Sequence, residues 1–233
     1  MGDQDRFENP DLIWSPEQLQ TRLGDEQLVV LDVRPTHQVM AGVIPGAVHL
    51  DIFGLGLTHT REEAWEEMVH LMRSLLGLRG IGPEKTVVVY EEDSGYCAAR
   101  SFWFLDYMGL DDVHVLDGGM RAWREWGGPL TRELVPPRAV RFPVQLRQEI
   151  FITADELAAA LGEPDLLPLD TRSDEEWYGE NTRGTPRGGT IPGAVHIEWT
   201  QFLNQKGCFK SPRELAALLE SHGVTRDKAI VPF

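Results

Sequence analysis

The sequence contains two thiols, Cys97 and Cys208, and cysteine is an intrinsically strong nucleophile. Neither belongs to a Cys-x-x-Cys motif or to a cysteine–histidine cluster with zinc spacing, so the pattern predicts no disulfide framework and no structural metal. Cys97 lies inside a predicted helix as a small packing residue, and Cys208 follows a glycine in a predicted surface loop. We interpret both as non-catalytic and expect a reducing compartment.

Two Asp-x-Arg motifs could be mistaken for acid–base pairs. Asp32 with Arg34, and Asp170 with Arg172, each stand at the end of an apolar segment. Because the motif occurs twice, in similar surroundings, we interpret both pairs as structural ties between a carboxylate and a guanidinium.

Long matching segments show that the whole sequence repeats itself. SPEQLQTRLGDEQLVVLDVRP, from Ser15, matches TADELAAALGEPDLLPLDTRS, from Thr153, and each predicts a capped amphipathic helix followed by a strand. GVIPGAVHLD, from Gly42, matches GTIPGAVHIE, from Gly189, and GPEKTVVVY matches TRDKAIVPF, which ends at Phe233. The sequence therefore predicts a tandem duplication, with a longer segment before the second Ile-Pro-Gly-Ala.

Alternating strands and helices predict an α/β protein with two tandem domains, each a central, mostly parallel sheet with helices on both faces. After Tyr90 the first copy continues with a predicted helix at 97–108, a strand at 113–116 and a helix whose Trp123 and Trp126 we expect in the core. The second copy lacks this last third and is incomplete in this chain. We place the first domain at 10–132, a linker at 133–150 and the second domain at 151–233.

Composition and charge exclude several classes of partner. The formal net charge of -15 argues against binding to nucleic acid or to an anionic membrane, because no basic stripe is present. The N-terminus has no basic segment followed by an apolar one, and no run approaches the roughly 18 apolar residues of a membrane helix. We expect a cytoplasmic monomer.

A strand, a loop and a helix in that order form an anion site, because the backbone N–H groups of the loop and of the first helical turn point into one cradle. In the first copy the residue after the strand is Glu91, a carboxylate. In the second copy this position directly follows Phe233. The loop after Phe233 is therefore the predicted place for chemistry.

The motifs VVLDVRP, GVIPGAVH and VVVYEEDSGYCAARSFWFLDYMGLDDVHVLDGGMRAW, with LPLDTRS and GTIPGAVHIEW in the second copy, resemble the tandem-domain rhodaneses, the thiosulfate and 3-mercaptopyruvate sulfurtransferases. The resemblance runs from about Trp14 to Phe233. It implies a rhodanese fold in each copy and a nucleophilic cysteine in the second domain alone, directly after Phe233. Where the family usually has His in Gly-His-Ile-Pro-Gly-Ala, this sequence has Val43 and Thr190.

The resemblance also implies an activity: a cysteine persulfide carries sulfane sulfur from thiosulfate or 3-mercaptopyruvate to cyanide or a thiol, with no metal and no organic cofactor. The first domain, with Glu91 in its loop, is then a non-catalytic scaffold, and the chain ending at Phe233 is itself inactive. Arg183 stands where 3-mercaptopyruvate sulfurtransferases place one substrate arginine, whereas the position of the other is Glu176. This mismatch favours thiosulfate as the donor.

Several alternatives remain open from the sequence. Arg183 and Arg187, which flank Gly-Thr-Pro in a glycine-rich segment, are either ligands of the anionic donor or solvated loop cations. The chain could also be a catalytically inactive rhodanese-like module that binds or scaffolds. A phosphatase with a related domain would need Cys-x5-Arg with its cysteine at the start of the loop, where this sequence has Glu91.

Overall fold

The computed structural model describes residues 6–52, Leu55, Leu57, 61–134 and 136–233. The chain divides into two compact units. The first unit comprises Asn9–Thr153 together with Gln205–Cys208, and the second comprises Ala154–Asn204 and Phe209–Phe233 together with residues 6–8. Residues 133–150, predicted as a linker, lie in the first unit by this division.

The first unit contains five parallel strands in the order β1-β5-β4-β2-β3. They are β1 (Ile13–Trp14), β2 (Leu28–Asp32), β3 (Val48–His49), β4 (Thr86–Tyr90) and β5 (Val113–Leu116). Every residue of β4 is buried, as are all but the first residue of β2. Uninterrupted burial is typical of central strands in a parallel sheet that is covered on both faces.

In the described part of this unit the α-helices are α1 (Pro16–Arg22), α2 (Thr36–Val39), α3 (Glu62–Leu78), α4 (Tyr96–Tyr107) and α5 (Gly119–Trp126). The Ser15 capping box predicted from the sequence is present, since the Ser15 side chain accepts the Gln18 N–H and the Gln18 side chain accepts the Ser15 N–H. The predicted strand at 113–116 is confirmed without change. The predicted helix at 97–108 is shifted by one residue.

The second unit contains a three-stranded parallel sheet in the order β7-β6-β8. Its strands are β6 (Leu166–Asp170), β7 (Val195–His196) and β8 (Ala229–Pro232), and its helices are α6 (Ala154–Ala160), α7 (Asp174–Trp177) and α8 (Pro212–Ser221). Leu169, Ile197 and Val224 form its buried core. The order reproduces that of β3, β2 and β4, so β8 corresponds to β4.

Candidate active site

The loop that follows β4 holds Glu91 at the carboxyl edge of the first sheet. Glu91 Oε1 accepts the backbone N–H of Ala98, in the first turns of α4, at 2.8 Å. A Cβ atom on Gly95 would lie within 3.0 Å of three carboxyl atoms of Glu91, so only glycine lets the loop close this tightly. The carboxylate thus occupies an anion-binding cradle built from the loop and the helix N-terminus.

Burial raises the pKa of Glu91 from its ordinary value of 4.5 to about 7, although hydrogen bonds from Ala98 and Cys97 act in the opposite direction. The nearby carboxylate of Asp93 contributes to the same rise in pKa. A carboxyl group with this pKa changes its charge near neutral pH. The chemistry of a carboxylate in this position is that of a proton carrier or a fixed anion.

The rest of the loop is fixed by its neighbours at the start of α5. Glu91 O accepts the N–H of Met120 at 2.8 Å. Ser94 Oγ donates to Asp117 at 3.0 Å and accepts the N–H of Gly118 at 2.7 Å. These contacts leave the Glu91 loop little room to adopt another conformation.

Asp32 and Arg34 form a fully buried ion pair beside this loop. Arg34 donates from its backbone N–H and Nε to Asp32 Oδ1, at 3.0 Å each, and from Nη2 to Asp32 Oδ2 at 2.6 Å and to Gly42 O at 2.8 Å. The phenol of Tyr90 donates to Asp32 Oδ2 at 2.6 Å. The Arg34 guanidinium lies 5.4 Å from the centre of the Tyr90 ring.

Asp170 and Arg172 repeat this arrangement in the second unit. Arg172 donates from its backbone N–H and Nε to Asp170 Oδ1, at 3.0 Å each, and from Nη2 to Asp170 Oδ2 at 2.6 Å and to Gly189 O at 2.9 Å. The hydroxyl donor to Asp170 Oδ2 is now Thr190, at 2.6 Å. Burial acts to raise the pKa of Asp170, but the hydrogen bonds from Arg172 and Thr190 outweigh it and lower the pKa.

Phe233 directly follows β8 and takes the place that Tyr90 takes at the end of β4. Its N–H donates to Leu169 O at 3.0 Å, and its carbonyl accepts the N–H and the hydroxyl of Thr171 at 3.0 and 2.9 Å. The Arg172 guanidinium lies 5.3 Å from the centre of its ring, close to the 5.4 Å found for Arg34 and Tyr90. The strand register that positions Glu91 is therefore preserved up to Phe233.

Arg183 lies in the segment that precedes the second Ile-Pro-Gly-Ala. Its Nη2 lies 3.2 Å from Glu176 Oε2, and its side chain is 60% exposed whereas that of Glu176 is 10% exposed. Its backbone adopts φ 48° and its N–H donates to Asn181 Oδ1. Arg187 is exposed, and Glu176 completes the capping box of α7 with Ser173.

Neither cysteine has the lowered pKa of a reactive thiolate. Burial and the Glu91 carboxylate raise the pKa of Cys97 from 9.0 to about 12. Burial and the Asp117 carboxylate raise the pKa of Cys208 from 9.0 to about 11. Cys208 is half-buried in the first unit, where a Cβ atom on Gly118 would come within 2.6 Å of its sulfur. Both thiols stay protonated at neutral pH.

Thr190 was not among the site residues predicted from the sequence. The signal that could have found it is the comparison of the two copies, in which Val43 with Tyr90 corresponds to Thr190 with Phe233. The hydroxyl lost from one position is present at the other. Val43 and Thr190 are the residues directly before Ile-Pro-Gly-Ala, where the two copies differ.

Within the described ranges, His, Cys, Asp and Glu side chains do not come together in a group of three or more that could hold a metal ion. No helix in that part of the chain has both the length and the apolar character needed to span a bilayer.

Two α/β units, each with a parallel sheet and an Asp-x-Arg pair at the carboxyl end of a central strand, define a tandem pair of domains with one shared architecture. The model of the Rhodanese-like domain family matches residues 15–125 and 153–231. A thiosulfate sulfurtransferase of Azotobacter vinelandii is 34% identical over 227 residues, which cover 97% of this chain and 83% of that protein. The chain therefore belongs to the tandem-domain rhodanese family of sulfurtransferases.

Solved structures show the same fold at lower identity. The 3-mercaptopyruvate sulfotransferase of Escherichia coli superposes with a TM-score of 0.80 at 24% identity, over 95% of this chain and 87% of that one. The anaerobic ergothioneine biosynthesis enzyme of Chlorobium limicola superposes with a TM-score of 0.84 at 20% identity, over 98% of this chain. The present chain spans 62% of that enzyme's length.

Proposed function

We propose that the protein transfers sulfane sulfur from thiosulfate to cyanide or a thiol, and that its nucleophile is a cysteine directly following Phe233 in the intact protein. The observation that supports this most is the position of Phe233, whose backbone and ring contacts match those of Tyr90. The residue after Tyr90 is Glu91, which opens the loop at the helix N-terminus. The residue after Phe233 opens the corresponding loop.

The reaction balances with this one nucleophile. The thiolate attacks the outer sulfur of thiosulfate, the sulfur–sulfur bond of the donor breaks, and sulfite leaves with the bonding pair. The resulting persulfide is attacked at its outer sulfur by cyanide, which leaves as thiocyanate while the thiolate is restored. A cradle of backbone N–H groups at a helix N-terminus stabilises the thiolate and the persulfide anion, so neither a metal nor an organic cofactor is required.

The remaining site residues have supporting roles in this proposal. Arg183 binds the anionic end of the donor through a charge-assisted hydrogen bond, and Arg187 adds positive charge on the same segment. Asp170 and Arg172 hold the carboxyl end of β6 in place. Glu91 makes the first domain a scaffold, because a carboxylate is a poor nucleophile toward sulfane sulfur.

Thiosulfate is favoured over 3-mercaptopyruvate by Glu176. This carboxylate lies 3.2 Å from Arg183 and compensates part of its charge. It also stands at the position where the family resemblance places the second substrate arginine of 3-mercaptopyruvate sulfurtransferases, so that cation is missing here. The thiosulfate sulfurtransferase of Azotobacter vinelandii, at 34% identity, supports the same choice.

We also infer that the protein is a cytoplasmic monomer. The reducing cytoplasm keeps a persulfide-forming thiol available, and the net charge of -15 disfavours self-association. Gel filtration of the intact protein tests the monomer, and a peak at twice its mass would contradict it.

Thiocyanate formation from thiosulfate and cyanide tests the proposed function. The intact protein is expected to turn over, whereas a protein that ends at Phe233, or one with serine directly after Phe233, is expected to form none. The matched control carries Cys97→Ser and Cys208→Ser and keeps its activity. Turnover by the protein ending at Phe233 that survives both serine substitutions would overturn the mechanism. A natural residue other than cysteine after Phe233 would favour the inactive binding module.

A further inference from the structure

A groove runs along one face of α3 in the first unit and has a volume of about 550 Å³. One wall of this α3 groove consists of side chains at the spacing of a single helical face, namely Glu62, Trp65, Glu66, Val69, His70 and Arg73. The other wall is the segment 144–153. Met68, Met72 and Leu76, on another face of the same helix, are buried in the core. Helix α3 therefore leaves a second face open, with a volume in the range of about 300–1,000 Å³ that is typical of ligand pockets.

The floor of the α3 groove is apolar and already formed. It is made by Trp65, Val69, Val144, Leu146 and Phe151. The rings of Trp65 and Phe151 stack with their centres 4.4 Å apart and 8° between their planes. Trp65 Nε1 also donates to the hydroxyl of Tyr107 at 2.7 Å. Because the Trp65 ring is held by a stack and by a hydrogen bond, a ligand does not have to order it.

The wall opposite α3 is anchored at alternate residues. The N–H groups of Gln145 and Arg147 donate to carbonyls at the end of α4, at 3.2 and 2.9 Å. The residues that alternate with them, Val144 and Leu146, line the groove, and their backbone N–H and C=O groups make no hydrogen bond within the described part of the chain. These backbone groups can pair with the main chain of a peptide that lies along the segment.

The two ends of the α3 groove carry opposite charges. Glu62 and Glu66 lie toward the N-terminus of α3, and His70 and Arg73 lie toward its C-terminus. Across the ranges that the structure describes, none of these four side chains has an ion-pair partner. The rise of an α-helix places Arg73 about 10 Å beyond Glu66 along the axis. An apolar floor thus separates two carboxylates from a guanidinium.

We propose that the α3 groove binds a short extended peptide of about three apolar residues, with its N-terminal ammonium beside Glu62 and Glu66 and its C-terminal carboxylate beside Arg73. Three extended residues span at most about 10–11 Å, which matches the separation of the charges. The apolar side chains of the peptide cover the floor of the groove and leave water. The site is separate from the proposed sulfur transfer and uses none of its residues.

The test is a titration of the intact, ¹⁵N-labelled protein with the tripeptide Leu-Phe-Leu, followed by two-dimensional NMR. Saturable shifts are expected for the indole N–H of Trp65 and for the backbone N–H groups of Val69 and Leu146. Glu62→Gln combined with Glu66→Gln is expected to raise the dissociation constant about fivefold, the upper range for a solvent-exposed ion pair. Arg73→Gln should raise it by a similar factor.

Glu63→Gln combined with Glu67→Gln is the matched control. These two glutamates are exposed on the same helix but do not line the groove. The control removes the same charge from α3 and is expected to leave the dissociation constant of the tripeptide unchanged.

Two blocked peptides assign each end of the ligand to its end of the groove. The N-acetylated tripeptide has no ammonium, so it should bind about fivefold more weakly than the free tripeptide and should be indifferent to the Glu62→Gln and Glu66→Gln pair. The C-amidated tripeptide has no carboxylate and should be indifferent to Arg73→Gln. A general loss of structure in a variant would weaken all three peptides alike.

Three results would overturn the inference. They are the absence of saturable shifts with the free tripeptide, equally tight binding of the acetylated and the free tripeptide, and a control pair that weakens binding as much as the groove pair does. The comparison of free and blocked peptides needs only the parent protein, so it does not depend on the folding of any variant.

Discussion

The carboxylate of Glu91 accepts the backbone N–H of Ala98 at 2.8 Å, which places a negative side chain in the anion cradle of the first domain. The Glu91 carboxyl group therefore occupies the cradle of the first domain. It accepts hydrogen bonds from the backbone N–H groups of Cys97 and Ala98. The cost is a buried acid whose pKa is raised to about 7, mainly by burial.

Glu91→Gln is expected to remove a pH dependence of stability. Glu91 makes its full contribution to the free energy of unfolding below pH 4.5, where its carboxyl group is protonated in the folded and the unfolded state. This contribution is lost as the pH rises through 7, because the folded state binds the proton more tightly than the unfolded state. The loss is on the order of 3 kcal/mol. The neutral amide keeps an oxygen acceptor for Ala98 and should flatten this dependence, as measured by urea unfolding between pH 5 and 8.

Glu92→Gln is the matched control for this experiment. It makes the same chemical change at the next residue, whose side chain is 38% exposed and pairs with Arg124. It should leave the pH dependence as in the parent protein. An unaltered slope in Glu91→Gln would show that Glu91 is not the group that titrates.

Arg183→Ala is expected to raise the Michaelis constant for the sulfur donor in the intact enzyme by about tenfold or more, which corresponds to a charge-assisted hydrogen bond of roughly 1.5 to 3 kcal/mol. Steady-state kinetics with thiosulfate and with 3-mercaptopyruvate measure this directly. Arg187→Ala should give a smaller rise. If Arg183→Ala and the parent protein have equal Michaelis constants for both donors, Arg183 is a solvated loop cation and does not bind the donor.

Glu176→Gln is expected to lower the Michaelis constant for the sulfur donor, because Arg183 then has no carboxylate beside it to offset its positive charge. A glutamine can still complete the capping box of α7. Since Arg183 is 60% exposed, solvent screening limits the gain to about 0.2–1 kcal/mol, or roughly a fivefold fall in the Michaelis constant at most. Ser173→Ala, which breaks the cap and keeps the charge, is the control. A fall of the same size in Ser173→Ala would assign the effect to the helix and not to charge.

Tyr90→Phe is expected to destabilise the protein by about 1–3 kcal/mol, because Asp32 is fully buried and loses a hydrogen bond at 2.6 Å. The added substitution Val43→Thr copies the arrangement of Thr190 and should recover part of that loss. A double-mutant cycle of unfolding free energies measures the coupling between the two positions. Strict additivity would contradict the equivalence of the two hydroxyls.

Local patterns in the sequence were sufficient for much of the fold. The strand at 113–116 and the Ser15 cap follow from apolar runs and short-range hydrogen bonding, and both are present. The expected burial of both tryptophans of α5 was half wrong: Trp123 is fully buried, whereas Trp126, at the end of the helix, is 45% exposed. Helical periodicity predicted burial correctly for Trp123, inside the helix, but not for Trp126, its last residue.

The site was harder to predict than the fold because its contacts join residues far apart in the chain. The contact of Thr190 with Asp170 spans 20 residues, and that of Tyr90 with Asp32 spans 58, so neither follows from local spacing. The pairing of Arg183 with Glu176 depends on the path of the loop, including the φ of 48° at Arg183. Sequence patterns predicted the Asp32–Arg34 and Asp170–Arg172 ties, which the structure confirms, but not the pairing of Arg183 with Glu176.

The two positions of the hydroxyl also constrain how the two copies could have diverged after duplication. A step-by-step path between Val43 with Tyr90 and Thr190 with Phe233 passes through one of two intermediates. The combination of valine with phenylalanine leaves a buried carboxylate short of a donor, whereas threonine with tyrosine offers two hydroxyls to it. On a direct path between the two present pairs, the intermediate with both hydroxyls keeps the buried carboxylate supplied with a donor, and the intermediate with neither does not.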